Sequence, residues 1–519
     1  MTGLRARATA AFDEAIRGLR AVPLPGLDKA AEDLAACRAR LSGPMRVALV
    51  GRVSSGKSTL ANALLGAPLA PTGVEELTFN VNWIGHGPRR ELTVHFTDGR
   101  PPERRDPAGL EALTVRARDG DKQHRRLLRA IDYLRVTDPN EHLRAFDLVD
   151  TPGLDSVFQT DSQNTLRFLG RTGDDVRAAS AAHASRADAL VVVFARGLAA
   201  NEEELLADFA GPGVGGSGPV TTIAALTKVE LSWPQHPDPL AEGRRLAERV
   251  MSAPGARRVL YEVRPIASLV AAAAATFTDD ELGDLIGLSN VDPSTLERRL
   301  RRGPFFATRE YEDLPVPPER RAALLRRFGQ YGIWLAAGLV RDGARDAAEL
   351  RAELTARSGL PGFRALLTGH FGNRAELIKL RGALDLAYRL RDRRAATLGP
   401  HERTVLLDAC APLLALDRDE HAFRELEVLR LYYDDALSFT PDDAADLLRV
   451  TGEHGTAPAD RLGLPTPAAP PELLAAARAR LGEWAARDLD PLYEGRTRRA
   501  VQVVRRSYER LVSTVREPA

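Results

Sequence analysis

Lysine is almost absent from this chain. Of its 72 basic residues only Lys29, Lys57, Lys122, Lys228 and Lys379 are lysines; the rest are arginines. A chain that otherwise avoids the ammonium group points to a need for it where it is kept. Lys57 and Lys228 fall in the two segments that carry chemistry below. Cysteine is scarcer still. Cys37 and Cys410 form no CxxC pair, which leaves no zinc knuckle and no disulfide framework. Each sits in a helical apolar pattern and reads as a small buried residue. No apolar run approaches the roughly 18–20 residues of a membrane span; the stretches 269–277 and 331–340 are too short. The start, Met1-Thr2-Gly3-Leu4-Arg5, lacks the apolar region of a signal peptide. A charge surplus is missing too. Net charge is +1, from 72 basic and 71 acidic residues, unlike the basic surplus of constitutive nucleic-acid binders. These absences predict a cytoplasmic protein, with membrane contact at most peripheral and no nucleic-acid partner.

What is present is length and periodicity. A chain of 519 residues exceeds one ordinary domain. Residues 1–42 predict one or two helices, with Phe12, Ile16 and Leu19 on one face. From Met45 the pattern changes to a short apolar run, a glycine-rich turn and a helical pattern over 58–65. Further apolar runs at 78–84, 146–149, 189–194, 220–226 and 259–266 alternate with helical patterns. That alternation predicts a mostly parallel sheet with helices on both faces. Residues 92–96 alternate and lead into Asp98-Gly99, a hairpin signal. Residues 100–130 read as an exposed insertion. Beyond 305 the strand signals stop, and helical stripes follow, such as Leu377, Leu380, Leu384 and Tyr388, or Val501, Val504, Tyr508, Leu511 and Val515. The reading is an α/β domain over 43–305 and an all-helical bundle over 306–519, with the helices of 1–42 packed onto the bundle.

The strongest motif is Gly51-Arg52-Val53-Ser54-Ser55-Gly56-Lys57-Ser58, a full GxxxxGK[ST] P-loop between a predicted strand and a predicted helix. The glycines let successive N–H groups face phosphates at the positive end of a helix. Gly51, Ser54, Ser55, Gly56, Lys57, Ser58 and Thr59 form the expected cradle. Lys57 reaches β and γ phosphates, and the Ser58 hydroxyl suits Mg²⁺. A second motif, Asp150-Thr151-Pro152-Gly153, ends an apolar strand. It puts Asp150 in the Mg²⁺ shell and the Gly153 N–H near the γ-phosphate. Thr78, which leads into the next strand, is the expected third Mg²⁺ ligand, ahead of Thr72. Gly51 and Asp150 lie 99 residues apart, farther than in compact Ras-like GTPases, so a larger GTPase class is expected.

Base recognition is expected at Thr227-Lys228-Val229-Glu230, after the run at 220–226. GTPases usually carry [NT]KxD here. The lysine stem packs on the base while the carboxylate accepts hydrogen bonds from guanine N1–H and its exocyclic amine. Glu230 keeps that chemistry on an arm one methylene longer. Ser268, in Ala267-Ser268, offers a backbone N–H to the guanine oxygen.

The order GRVSSGKS, LT, DTPG and TKVE, preceded by helices and followed by a helical half, resembles the bacterial dynamin-like proteins. It is most similar to the actinobacterial branch that includes the isoniazid-inducible dynamin-like proteins of mycobacteria. LAPTG at 69–73, RFGQYGI at 327–333, RSGLPGFRALL at 357–367 and RLGL at 461–464 extend the resemblance over most of the chain. It implies a GTPase that hydrolyses GTP with Mg²⁺, its head set on a helical stalk built from both chain ends. Head-to-head self-association, a sister dynamin-like partner and membrane remodelling at the inner face of the plasma membrane are further implications. Lys57, Ser54 and Thr78 are the implied catalytic set. Two departures, Val53 where dynamins carry a glutamine and Glu230 where they carry aspartate, predict slow or partner-dependent hydrolysis. Arg52 is placed to reach a neighbouring head.

Two other readings compete. One is a GTPase assisting ribosome or RNA assembly through Arg298-Arg299-Leu300-Arg301-Arg302 and Phe305-Phe306, a cluster that also reads as a solvated helix end. The other is a weakly active nucleotide-gated scaffold. For lipid contact the candidates are the basic face of Arg496, Arg498, Arg499, Arg505 and Arg506 and the turn at 391–403.

Overall fold

A computed structural model describes residues 2–52, 54–70, 80–114, 126–128, 130–151, 187–195, 218–344 and 346–516. They form two compact units. One comprises residues 46–214 and 222–365, the other residues 1–45, 215–221 and 366–519.

The first unit is built on a nine-stranded sheet of order β4-β3-β5-β2-β6-β1-β7-β8-β9. Its strands are β1 (Met45–Val50), β2 (Val81–His86), β3 (Glu91–Phe96), β4 (Glu103–Arg105), β5 (Ile131–Asp138), β6 (Phe146–Asp150), β7 (Ala189–Ala195), β8 (Thr222–Thr227) and β9 (Val263–Pro265). β1, β7, β8 and β9 run parallel. Every residue of β8 and all but the last of β7 are buried, as strands covered on both faces require. At the other edge β3 alternates between half-buried and buried residues, because one of its faces meets solvent. It pairs antiparallel with β4 and β5, past the turn at Asp98-Gly99, where Gly99 has φ +76°.

The last strand of the sheet, β9, ends at Pro265, but the core of this unit does not. The helices Ser268–Thr276, Asp279–Ser289, Pro318–Arg341 and Ala347–Ala356 share one apolar cluster with the sheet. It runs from Ala48 on β1 and Ala224 on β8 to Leu324, Phe328, Ile333, Leu350 and Leu354. The boundary expected at 305 therefore falls inside the unit, which extends to residue 365. The physical reason is that loss of alternating strands marks the end of a sheet, not the end of what packs on it.

In the second unit both ends of the chain meet. Helix Thr2–Arg20 packs on Pro25–Ala39, Pro400–Ala409 and Ala411–Asp419, with Phe12 and Leu19 fully buried. Arg394 Nε donates to Asp33 Oδ2 at 2.8 Å, and Lys379 Nζ donates to Leu41 O at 3.2 Å. Helices Pro470–Leu489 and Gly495–Arg516 pack on each other over buried Trp484, Val501, Val504 and Tyr508. At the turn joining them Leu489 is 83% and Leu492 85% exposed. Cys37 and Cys410 are buried thiols, and burial pushes each up to about 11. Among the described residues no helix is long and apolar enough to cross a membrane.

Candidate nucleotide-binding site

The phosphate loop starts where β1 ends. Gly51 has φ +157°, and a Cβ there would stand 2.2 Å from the Val193 carbonyl oxygen on β7, so no other residue fits. Ser54 follows with φ 59° and Gly56 with φ +94°. A Cβ on Gly56 would lie 3.3 Å from Thr227 Oγ1 and 3.9 Å from Ser268 Oγ. The loop therefore touches both segments expected to hold the base. Its exit is the helix Lys57–Leu65, whose first-turn N–H groups carry the positive end of the helix dipole.

Lys57 is buried, and its Nζ donates to Gly51 O at 3.1 Å and Arg52 O at 2.8 Å. A buried ammonium curled onto its own loop is a cation held ready for anionic oxygens. Ser58 Oγ donates to Asp150 Oδ2 at 3.0 Å. Asp150 is fully buried, and its Oδ1 has no partner among the described residues. Burial pushes its carboxyl up to about 6, against the opposing pull of Lys57 and the Ser58 hydrogen bond. A carboxylate with an open oxygen beside a hydroxyl is the hard oxygen donor set that suits Mg²⁺, so these residues fit the ion. Thr151 Oγ1 donates to Leu49 O at 2.7 Å, tying the end of β6 to β1. Ser55 is buried with no partner for its hydroxyl among the described residues, while Ser54 is exposed and Thr59 half-buried. Thr78, Thr72, Gly153 and Val53 lie outside the described residues.

Asn82 was not visible from the sequence. In the antiparallel pairing of β2 with β6 it stands directly opposite Asp150, so the two side chains share one face of the sheet. It is fully buried, and neither its Oδ1 nor its Nδ2 has a partner among the described residues. A strand asparagine carries no local pattern that would single it out.

At the base segment, Thr227 Oγ1 donates to Ser55 O and lies 3.2 Å from Phe194 O. One hydroxyl thus bolts the P-loop to β8. Lys228 has φ 58° and opens a short turn over Val229–Ser232. Glu230 is 6% exposed. The Leu269 N–H donates to its Oε1 at 3.4 Å, while Oε2 has no partner among the described residues. Burial pushes its carboxyl up to about 7. Ser268 is buried at the start of the helix Ser268–Thr276.

A second layer holds this segment from behind. The Ala267 N–H donates to Ser358 O at 2.9 Å. Gly359 has φ +81°, and a Cβ on it would stand 2.6 Å from Pro265 O. Five residues on, Arg364 Nη2 donates to Ala63 O at 3.1 Å and Leu64 O at 2.8 Å. It caps the carbonyl end of the P-loop helix, where a cation is favoured. The stretch 357–367, noted in the sequence only as a resemblance, thus braces both halves of the site.

Within the arginine cluster at 298–302, two members form ion pairs with nearby acidic residues. Arg299 pairs with Asp313 at 2.9 Å and Arg301 with Glu297 at 2.6 Å, and Phe306 is fully buried. On the last helix Arg505 pairs with Asp488 and Arg506 with Glu509. Arg496 and Arg499 are exposed with no ion pair among the described residues.

Several known proteins are similar to this chain. The model of the dynamin family matches residues 47–206. The isoniazid-induced protein IniC of Mycobacterium tuberculosis is 33% identical over 479 residues, 92% of this chain and 91% of its own length. A bacterial dynamin-like protein of Nostoc punctiforme is 30% identical over 146 residues, 27% of this chain and 21% of its own. Among solved structures, an oligomerised bacterial dynamin pair aligns over 93% of this chain and 83% of its own, at 12% identity and a TM-score of 0.32.

Proposed function

The chain belongs to the dynamin-like large GTPases, and from that premise we propose that it grips GTP with Mg²⁺ on the Gly51–Ser58 loop and couples association of its GTPase units to work on a membrane surface. The observation that carries the nucleotide half is the Lys57, Ser58 and Asp150 constellation, with one buried ammonium, one hydroxyl and one carboxylate oxygen left open. When bound, Mg²⁺ would neutralise charge that grows on the phosphate oxygens during phosphoryl transfer. Ser58 and Asp150 would hold it, with Thr78 as the expected third ligand. Lys57 exchanges the carbonyls of Gly51 and Arg52 for β and γ phosphate oxygens. The loop amides supply the remaining charge stabilisation, with Ser54 at the phosphate mouth and the Gly153 N–H as the expected γ-phosphate contact. Thr227, Lys228, Glu230 and the Ser268 N–H enclose the base.

Val53 stands where dynamins carry a glutamine that places the attacking water. Turnover is therefore slow in the lone protein and rises when a second head, its own copy or a sister dynamin-like protein, completes the site. The membrane half rests on the family and on the exposed Leu489 and Leu492 turn flanked by Arg496 and Arg499.

The test is phosphate release from GTP with and without anionic liposomes, comparing the wild type with Lys57→Ala. Stimulation by liposomes in the wild type alone supports both halves. Failure of the wild type to take up labelled GTP at millimolar concentration with magnesium ends the nucleotide reading. Hydrolysis indifferent to liposomes, with no co-sedimentation, ends the membrane reading.

A further inference from the structure

The helix Ser268–Thr276 begins without a cap of its own. Its N-cap is Ala267, whose methyl cannot accept a hydrogen bond, and its first turn holds no acidic residue. The first N–H groups of a helix need partners from elsewhere. Here the Leu269 N–H finds Glu230 Oε1 at 3.4 Å. Water is a poor substitute, because Ser268 is 2% and Glu230 6% exposed. One oxygen of the carboxylate is therefore committed to the fold, and only Oε2 is left open.

We propose that Glu230 reads the base with a single oxygen, so that the guanine 2-amino group goes largely unread and hypoxanthine nucleotides are accepted as substrates alongside GTP. This rests on the proposed role of residues 227–230 as the base site. Guanine presents two donors on that edge, N1–H and the exocyclic amine. A carboxylate with both oxygens open takes both, and loss of the amine then strands a buried acceptor. Sites of that kind reject the lacking analogue by roughly 10⁴-fold or more, because the cost is the unpaired group left behind. With Oε1 already satisfied by a backbone N–H, loss of the amine strands nothing. Hypoxanthine retains N1–H for Oε2. Adenine has no N1–H and turns an unprotonated nitrogen toward the carboxylate. Xanthine replaces the amine with a carbonyl oxygen, which repels it.

The experiment is competition against labelled GTP by unlabelled GTP, ITP, XTP and ATP on the full chain with magnesium. Amide hydrogen exchange at Leu269 is followed in the free and GTP-bound protein. The expected result is ITP within about tenfold of GTP, and XTP and ATP at least about a hundredfold weaker. The Leu269 amide stays protected when GTP is bound and exchanges faster in Glu230→Ala. ITP a hundredfold or more weaker than GTP overturns the inference while leaving the base site in place. So does a Leu269 amide that loses protection on GTP binding, since the carboxylate has then turned both oxygens to the base. ATP competing as well as GTP, or Glu230→Ala binding GTP as tightly as the wild type, instead removes the base site itself.

Discussion

Glu230 and Asn82 both hold polar atoms in places where water does not reach, and each leaves a measurable mark. Burial favours the neutral form of Glu230 and raises it from 4.5 to about 7, against the pull of Lys228. An acceptor for guanine must be ionised, so binding below that value includes the cost of losing a proton. GTP affinity should rise with pH between about 6 and 7.5, by at most tenfold per unit, then level off. Glu230→Gln should bind more weakly with a shallower rise over the same range, since Asp150, raised to about 6, still titrates in the site, measured by fluorescent-nucleotide titration. The stability of the nucleotide-free protein runs the other way. A carboxyl raised in the fold contributes stability below its unfolded value and loses it as pH rises through about 7. Asn82 gives the opposite sort of test. A buried amide without partners costs on the order of 1–3 kcal/mol. Asn82→Leu should therefore raise the melting temperature of the nucleotide-free protein while weakening magnesium-dependent GTP binding. A variant that melts lower and binds GTP normally would make Asn82 an ordinary structural residue. The P-loop glycines and Lys57 were legible in the sequence because backbone curvature and phosphate charge admit few residue types. Asn82 was not, since its meaning arises only from the residue opposite it.

Among elements, the segment from the helix Ala347–Ala356 into Leu360–Leu366 does the bracing. Ser358 holds Ala267 and Arg364 holds the end of the P-loop helix. Gly359→Ala forces a side chain into positive φ and against Pro265 O. A strained backbone of that sort costs about 1–3 kcal/mol. It should lower GTP affinity by pushing the 265–268 segment out of place, with the isolated triphosphate competing as well as it does in the wild type. Equal loss of both ligands would mean that the whole site, not the base segment, had moved. The parallel strands were legible from their apolar runs, and so were the helical stripes at 377–384 and 501–511, whose apolar residues are buried. The bracing was hidden, because Ser358 and Ala267 lie far apart in the chain and no local periodicity joins them. The sequence placed the end of strand signals at 305, some forty residues beyond the last strand, and did not show that helices 318–341 and 347–356 complete the same core.

For the whole molecule, the exposed pair at the turn between Pro470–Leu489 and Gly495–Arg516 is the feature to test. Replacing both Leu489 and Leu492 by serine should leave the melting temperature within about 2 °C, since exposed substitutions change stability little. The same change should lower co-sedimentation with anionic liposomes several-fold. Unchanged sedimentation would move attention to the turn at 391–403. The sequence sign of the unit shared by the two chain ends is the lack of a core partner for residues 1–42.

That shared unit also sets an order of events during synthesis. Helix Thr2–Arg20 leaves the ribosome with Pro25–Ala39 as its one early partner, while Pro400–Ala409 and Ala411–Asp419 follow roughly 400 residues later. At the usual elongation rate of roughly 5–20 residues per second, the interval is on the order of 20–80 s. The sheet-bearing unit can finish within that interval. An apolar ribbon must meanwhile be kept from sticking to itself, which makes this protein a natural client for a chaperone that shields nascent chains.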